Sequence, residues 1–101
     1  MGASLQFANS TAEAKQLRKD AGRWLQSMRK SAGLSQIDLA NLLGLKYYTF
    51  VSQVENGFGR VPSESMEAWA RALGITPSDF ARQLLSYYDP QLHRLLFGKD
   101  R

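Results

Sequence analysis

The spacing of apolar residues along the chain predicts helices and no strands. Between residues 11 and 33 the apolar positions recur at every third or fourth residue, so on a helix they form one stripe. The stripe consists of Ala14, Leu17, Ala21, Trp24, Leu25 and Met28. Ser10 followed by Glu13 has the form of a capping box, which predicts that the helix begins there, and Gly33 predicts its end.

Shorter helical segments follow, each bounded by glycine or proline. Ser35 is a suitable N-cap, with Asp38 in the first turn of the helix that it begins. Thr76 before Pro77 is another strong helix start. The later helices are predicted at about 35–43, 47–56, 63–73, 76–88 and 89–97.

This pattern predicts an all-α fold. The 101 residues of the chain fit one domain of ordinary size. We expect an N-terminal arm over residues 1–10 and a five-helix domain with an extended first helix over residues 11–88. Residues 89–101 are expected to form a short C-terminal helical extension.

Composition narrows the class of protein. The chain has no cysteine, which excludes disulfides and cysteine-ligated zinc and makes the reducing cytoplasm the expected setting. His93 is the single histidine and no catalytic motif is present, so we expect no enzyme activity, no metal and no other cofactor. The N-terminus lacks the apolar stretch of a signal peptide, and no segment is long enough to span a bilayer, so we expect no membrane partner.

Positive charge is concentrated at the start of the chain. Residues 1–32 carry six bases and two acids, whereas bases and acids balance over residues 33–101, and the net charge is +4. Such an excess suits a polyanionic partner, but many proteins that never bind nucleic acid share it.

The most informative feature is the pair of short helices predicted at about 35–43 and 47–56, joined by a tight turn that starts at Gly44. A helix-turn-helix holds its second helix in the major groove of DNA in this way. Projected at about 100° per residue, the second helix has an inner face made of Tyr47, Val51 and Val54. Its other face carries uncharged side chains that can hydrogen-bond to base edges, namely Thr49, Ser52, Gln53 and Asn56.

Four motifs in this order resemble the lambda-repressor/Cro-type, or xenobiotic-response-element, family. They are AGLSQIDLA at 32–40, LGL at 43–45, VSQVENG at 51–57 and ARALGI at 70–75. The resemblance covers roughly residues 22–85, and the turn at 46–48 carries one residue more than the commonest pattern. It implies a lambda-repressor-like helix-turn-helix domain over residues 11–88, in a transcription regulator that binds specific double-stranded DNA and acts as a repressor.

The resemblance also implies roles for individual residues. Gln36 and Asn56 match positions that contact DNA phosphates. The residues that match base-facing positions are Tyr48, Thr49, Ser52 and Gln53. For Tyr48, and for Phe50 beside it, core packing and DNA contact both remain open.

Two further pairs of residues have expected roles. Lys46 and Arg60 flank the recognition helix and are expected to contact phosphates, the alternative being solvated loop charges. Family members commonly join the positions of Arg29 and Glu55 by an ion pair, which assigns these two residues a structural role.

A single recognition helix reads too few base pairs to specify a site, so we expect a homodimer on a palindromic operator. The C-terminal third holds more apolar residues than a five-helix core needs, namely Leu84, Leu85, Tyr87, Tyr88, Leu92, Leu95, Leu96 and Phe97. The alternative is that residues 89–98 fold back onto their own core.

Two other functions fit the same residues. An antitoxin of a toxin–antitoxin operon would also bind DNA, and a neighbouring toxin gene would identify it. A protein-interaction module that has lost DNA binding is the alternative from another class, and a salt-dependent DNA-binding assay would separate it from a regulator.

Overall fold

A computed structural model describes the backbone of residues 2–98 and the side chains of residues 12–98. Over this range the chain forms six α-helices and no strand, which confirms the all-α prediction. The helices are α1 (Gly2–Ser31), α2 (Gln36–Leu42), α3 (Thr49–Glu55), α4 (Met66–Leu73), α5 (Pro77–Tyr88) and α6 (Pro90–Phe97). A 3₁₀ turn, Ser63–Ser65, leads into α4.

The first helix is longer than the sequence predicts. It begins at Gly2, so Ser10 lies inside it, and the predicted start at Ser10 is wrong. Residues 2–10, which we expected to form an arm, are helical. Residues 3–12 contain neither glycine nor proline and include good helix formers, so no residue before Ser10 interrupts the helix. A serine inside a helix reduces its stability by only roughly 0.5 kcal/mol relative to alanine, so Ser10 does not end it.

Two helix starts are fixed by local capping. The backbone N–H of Asp38 donates to Ser35 Oγ at 2.9 Å, and the Ser35 N–H donates to Asp38 Oδ2 at 2.9 Å. This is the complete capping box of α2. At α6 the Leu92 N–H donates to Asp89 Oδ1 at 3.0 Å, so Asp89 caps the last helix.

The core lies where α1, α2, α3, α4 and α5 meet. Its largest fully buried side chains are Trp69, Phe80, Leu25, Leu39, Leu84, Val51, Val54 and Val61. Trp24 is half-buried and packs on Phe80 with 5.7 Å between ring centroids, so it joins Trp69 in the core. Within it, α3 packs mainly on α1 and α2 and meets α4 through the contact of Phe50 with Trp69.

The last helix packs against α5 and leaves its own apolar residues exposed. None of the residues of α6 is buried. Leu84, one of the apolar residues expected at a dimer interface, is fully buried in the domain's own core. Residues 90–97 thus fold back against α5, as the alternative to a dimer interface expects, although α6 adds no fully buried side chain to the core.

Candidate nucleic-acid interface

The inner face of α3 anchors the helix in the core. Val51 and Val54 are buried, and Phe50 is half-buried with its ring edge-on to Trp69, 6.5 Å between centroids. Phe50 therefore packs on the core. The same side of the helix ends at Glu55, which is also buried.

The predicted recognition helix, α3, begins two residues later than the expected start at residue 47. Its first residue is Thr49, and Tyr48 occupies the N-cap position. Tyr47 lies in the turn and is 66% exposed, so its assignment to the inner face is wrong. The helical projection placed Tyr47 on the inner face because it assumed that the helix had begun by residue 47. Since the turn is longer, the helix begins only at Thr49.

The outer face of α3 is polar and uncharged. Thr49, Gln53 and Asn56 are exposed, and Ser52 is half-buried between them. Asn56 Nδ2 lies 3.4 Å from Ser52 Oγ, a long hydrogen bond that leaves the amide oxygen open. Tyr48, 47% exposed, stands at the N-terminal end of this face. The uncharged donors and acceptors of this face can form hydrogen bonds with base edges.

A buried ion pair joins α1 to the end of α3. Arg29 Nε donates to Glu55 Oε2 at 2.6 Å, and Arg29 Nη2 donates to Oε1 at 3.0 Å. The two side chains are 8% and 2% exposed. Arg29 Nη1 also donates to the Leu34 carbonyl at 2.8 Å, which ties the pair to the chain just before α2. A fork-like contact of this kind fixes orientation as well as distance.

The first residue of α2 joins the same carboxylate. Gln36 Nε2 donates to Glu55 Oε1 at 3.0 Å, so one carboxylate receives donors from α1 and α2 while it belongs to α3. Gln36 was predicted to contact a phosphate, and the structure gives it this structural bond. An amide nitrogen has two N–H groups, so the half-buried Gln36 keeps a second donor.

The two predicted flanking bases lie on either side of α3. Lys46 is exposed in the turn, with Nζ 5.7 Å from the centroid of the Tyr47 ring. The Arg60 guanidinium carbon lies 4.5 Å from the centroid of the Tyr88 ring, and the adjacent Val61 N–H donates to Tyr88 Oη at 3.1 Å. Burial raises the pKa of Tyr88. The loop after α3 is thereby tied to the end of α5, a contact that sequence reasoning missed.

Two glycines let α1 approach the end of α3, and neither was singled out from the sequence. A Cβ on Gly22 would overlap the backbone carbonyl of Glu55. Gly57 has φ +83°, and a Cβ there would lie 2.8 Å from Lys19 Cγ. A glycine within a helical pattern that has no other explanation is the signal that could have indicated close packing at Gly22.

No helix within the described residues 2–98 combines the length and the apolar character of a membrane span. Within the same residues, no three metal-binding side chains come together.

Comparison with known families agrees with this geometry. Residues 25–80, more than half of the chain, match the helix-turn-helix family, in its Cro/lambda-repressor type. No curated protein matches the chain significantly. The match contains α2, the longer turn, α3, the buried Arg29–Glu55 pair and α4. The chain therefore belongs to the Cro/lambda-repressor type of helix-turn-helix family and is a DNA-binding transcription regulator.

Proposed function

We propose that the protein is a repressor that inserts α3 into the major groove of a specific double-stranded operator. The observation that carries this proposal is the outer face of α3, which is uncharged, able to hydrogen-bond and exposed, on a helix locked in place by the Arg29–Glu55 pair. We propose no catalytic role for the protein. Because its proposed partner is DNA, we expect it to act in the cytoplasm.

Base contacts are proposed for the residues at the start and outer side of α3. Tyr48 and Thr49 stand at its N-terminal end, the end that recognition helices direct toward base edges. Ser52 and Gln53 lie one turn further along the same face. Gln53 has the amide that can pair with adenine through two hydrogen bonds.

Phosphate contacts are proposed on both sides of that face. Gln36 offers its remaining N–H, and Asn56 offers an exposed amide after the last turn of α3. Lys46 and Arg60 add charge from the turn and from the following loop. The ring of Tyr88 limits the positions of the Arg60 guanidinium, so Arg60 would present its N–H groups from a supported position.

Dimerisation is proposed through the exposed side of α6. Leu92, Leu95, Leu96 and Phe97 are between 41% and 62% exposed, on one short helix. An apolar groove of about 550 Å³ next to Phe97 is lined by Met66, Pro77, Ala81 and Leu85, among others. A second copy related by a twofold axis would cover this surface and place two α3 helices on a palindrome.

Sedimentation of the free protein tests the dimer. The full chain is expected to sediment as a dimer at micromolar concentration, and the Leu95→Asp/Leu96→Asp variant as a monomer. Phe58→Asp is the control, because Phe58 is 81% exposed and lies in a different part of the fold. A full chain that stays monomeric, or an α6 variant that still dimerises, would contradict this interface.

Selection of bound duplexes from a random DNA library tests the proposed function itself. The expected result is a palindromic motif whose half-sites lie about 34–36 Å apart. A promoter carrying that motif should be silenced when the protein is co-expressed. Recovery of no motif would refute sequence-specific binding, and increased transcription from the promoter would refute the repressor role.

A further inference from the structure

A row of polar and basic side chains on α1 lies beside the end of the recognition helix. Lys19, Arg23 and Gln26 are four and three residues apart, so they share one face of the helix. Together with Glu55 and Asn56 they line a shallow depression. The depression therefore joins this row, which we name the α1 strip, to a proposed phosphate contact at Asn56.

Backbone packing fixes the α1 strip in that position. Gly57 directly follows Asn56, and a Cβ on it would lie 3.0 Å from both Cα and N of Lys19. A Cβ on Gly22, between Lys19 and Arg23, would lie even closer to the backbone carbonyl of Glu55. Since no side chain separates the two backbones here, the strip is held directly against the end of α3.

The net charge that the strip presents to solvent is positive. Among the described side chains Lys19 forms no ion pair, and Arg23 meets Asp20 only in an exposed pair at 3.4 Å, a kind that holds charge weakly. The negative charge of Glu55 is paired with Arg29, and its side chain is 2% exposed. Asp20 therefore offsets only one of the two positive charges of Lys19 and Arg23, and the net charge of the strip remains positive.

We propose that the α1 strip is a second phosphate-binding surface, on which Lys19 and Arg23 neutralise DNA phosphates adjacent to the one at Asn56 while Gln26 donates a hydrogen bond. The inference rests on the proposed DNA binding and extends it from the helix-turn-helix onto α1. Lys15 and Lys30 fall on the same side of α1 and lengthen the strip. It also explains why the excess positive charge of the chain lies within residues 1–32.

The salt dependence of DNA binding tests the strip without knowledge of the operator, because phosphate contacts are independent of sequence. The full-length Lys19→Gln/Arg23→Gln variant is compared with the unaltered protein on a random-sequence duplex of about 30 base pairs, between about 50 and 200 mM NaCl. Two lost phosphate contacts should reduce the slope of log K against log salt by about 1.8 per bound protomer.

The matched control removes the same charge elsewhere. Arg71→Gln, on the exposed side of α4, is compared with the single variant Lys19→Gln, which should reduce the slope by about 0.9. The Arg71→Gln control should change the slope by less than about 0.5, because it lowers the net charge equally but removes no phosphate contact. Circular dichroism establishes that each variant is folded, as expected for exposed side chains.

Two further variants keep or increase the positive charge of the strip. Lys19→Arg/Arg23→Lys keeps both charges and should keep the slope. Gln26→Lys adds one charge in the middle of the strip and should increase the slope by about 0.9 per protomer.

The outcomes separate this inference from the proposed function. Failure of the unaltered protein to bind any duplex at low salt would overturn both. DNA binding by the unaltered protein, with a slope that Lys19→Gln and the Arg71→Gln control change equally, would overturn the α1 strip alone.

Discussion

Replacing Glu55 by alanine should destabilise the domain far more than the loss of an exposed charge would. The substitution leaves the Arg29 guanidinium, 8% exposed, with the Leu34 carbonyl as its remaining acceptor. Breaking a buried pair from one side costs about 3–5 kcal/mol, and the lost Gln36 bond adds about 0.5–1.5 kcal/mol. Because a domain of this size loses about 4–8 °C in Tm per kcal/mol, the expected fall is roughly 15–50 °C.

Thermal melting followed by circular dichroism measures this effect. Arg29→Met, Glu55→Ala and the double variant form a cycle whose coupling energy should reach about 2 kcal/mol or more, because a buried pair replaced on both sides leaves no unpaired charge. The double variant should therefore melt above Glu55→Ala. Glu67→Ala is the control, since the Glu67–Arg71 pair is exposed and contributes less than about 1 kcal/mol. Additive effects, or a Glu55→Ala melting point within a few degrees of the unaltered one, would refute the reasoning.

Three other predictions concern separate parts of the molecule. Gln53→Ala should lose about 1–3 kcal/mol of binding free energy on the selected operator and reduce the base preference at one position. Gln36→Ala should weaken binding to the operator and to a random duplex alike. An equal loss of affinity on both duplexes for Gln53→Ala would contradict the base contact. The Ser35 backbone N–H holds the pKa of the Asp38 carboxyl below its ordinary value. The carboxylate therefore stabilises the folded state above the unfolded-state pKa, and this stabilisation is lost as pH falls through the lower folded-state pKa. In Asp38→Asn the free energy of unfolding should fall less steeply over that acidic range when it is measured against pH. Gly22→Ala should cost about 1–3 kcal/mol in thermal unfolding through overlap with the α3 backbone, whereas Gly59→Ala, whose Cβ would meet only Val54 Cγ2 at 3.7 Å, should be close to neutral.

Local signals in the sequence predicted the features that depend on neighbouring residues. The cap at Ser35 was predictable because the partner, Asp38, is three residues away. Helix-period spacing identified Val51 and Val54 as core residues in the same way. These features need only the periodicity of one helix and the chemistry of its ends.

Contacts between distant residues were beyond such reasoning. The stacking of Arg60 on Tyr88 joins positions 28 residues apart and follows from how the loop after α3 meets α5. The closeness of Gly22 to Glu55 depends on the angle between two helices, which no local pattern specifies. The start of α1 was missed for the opposite reason, since a capping signal at Ser10 can occur inside a helix that has already begun.

The division of α3 into two faces has a consequence for how the protein can change. Thr49, Ser52 and Gln53 project from the seven-residue helix away from the core, while its stability comes from the residues between them. Exchanges at those outer positions are expected to alter the free energy of unfolding by about 0.5 kcal/mol or less. With the base contacts proposed for these residues, mutation would redirect the protein to a new DNA sequence without first passing through unstable intermediates, and paralogues built on this scaffold would diverge in target while keeping the same fold.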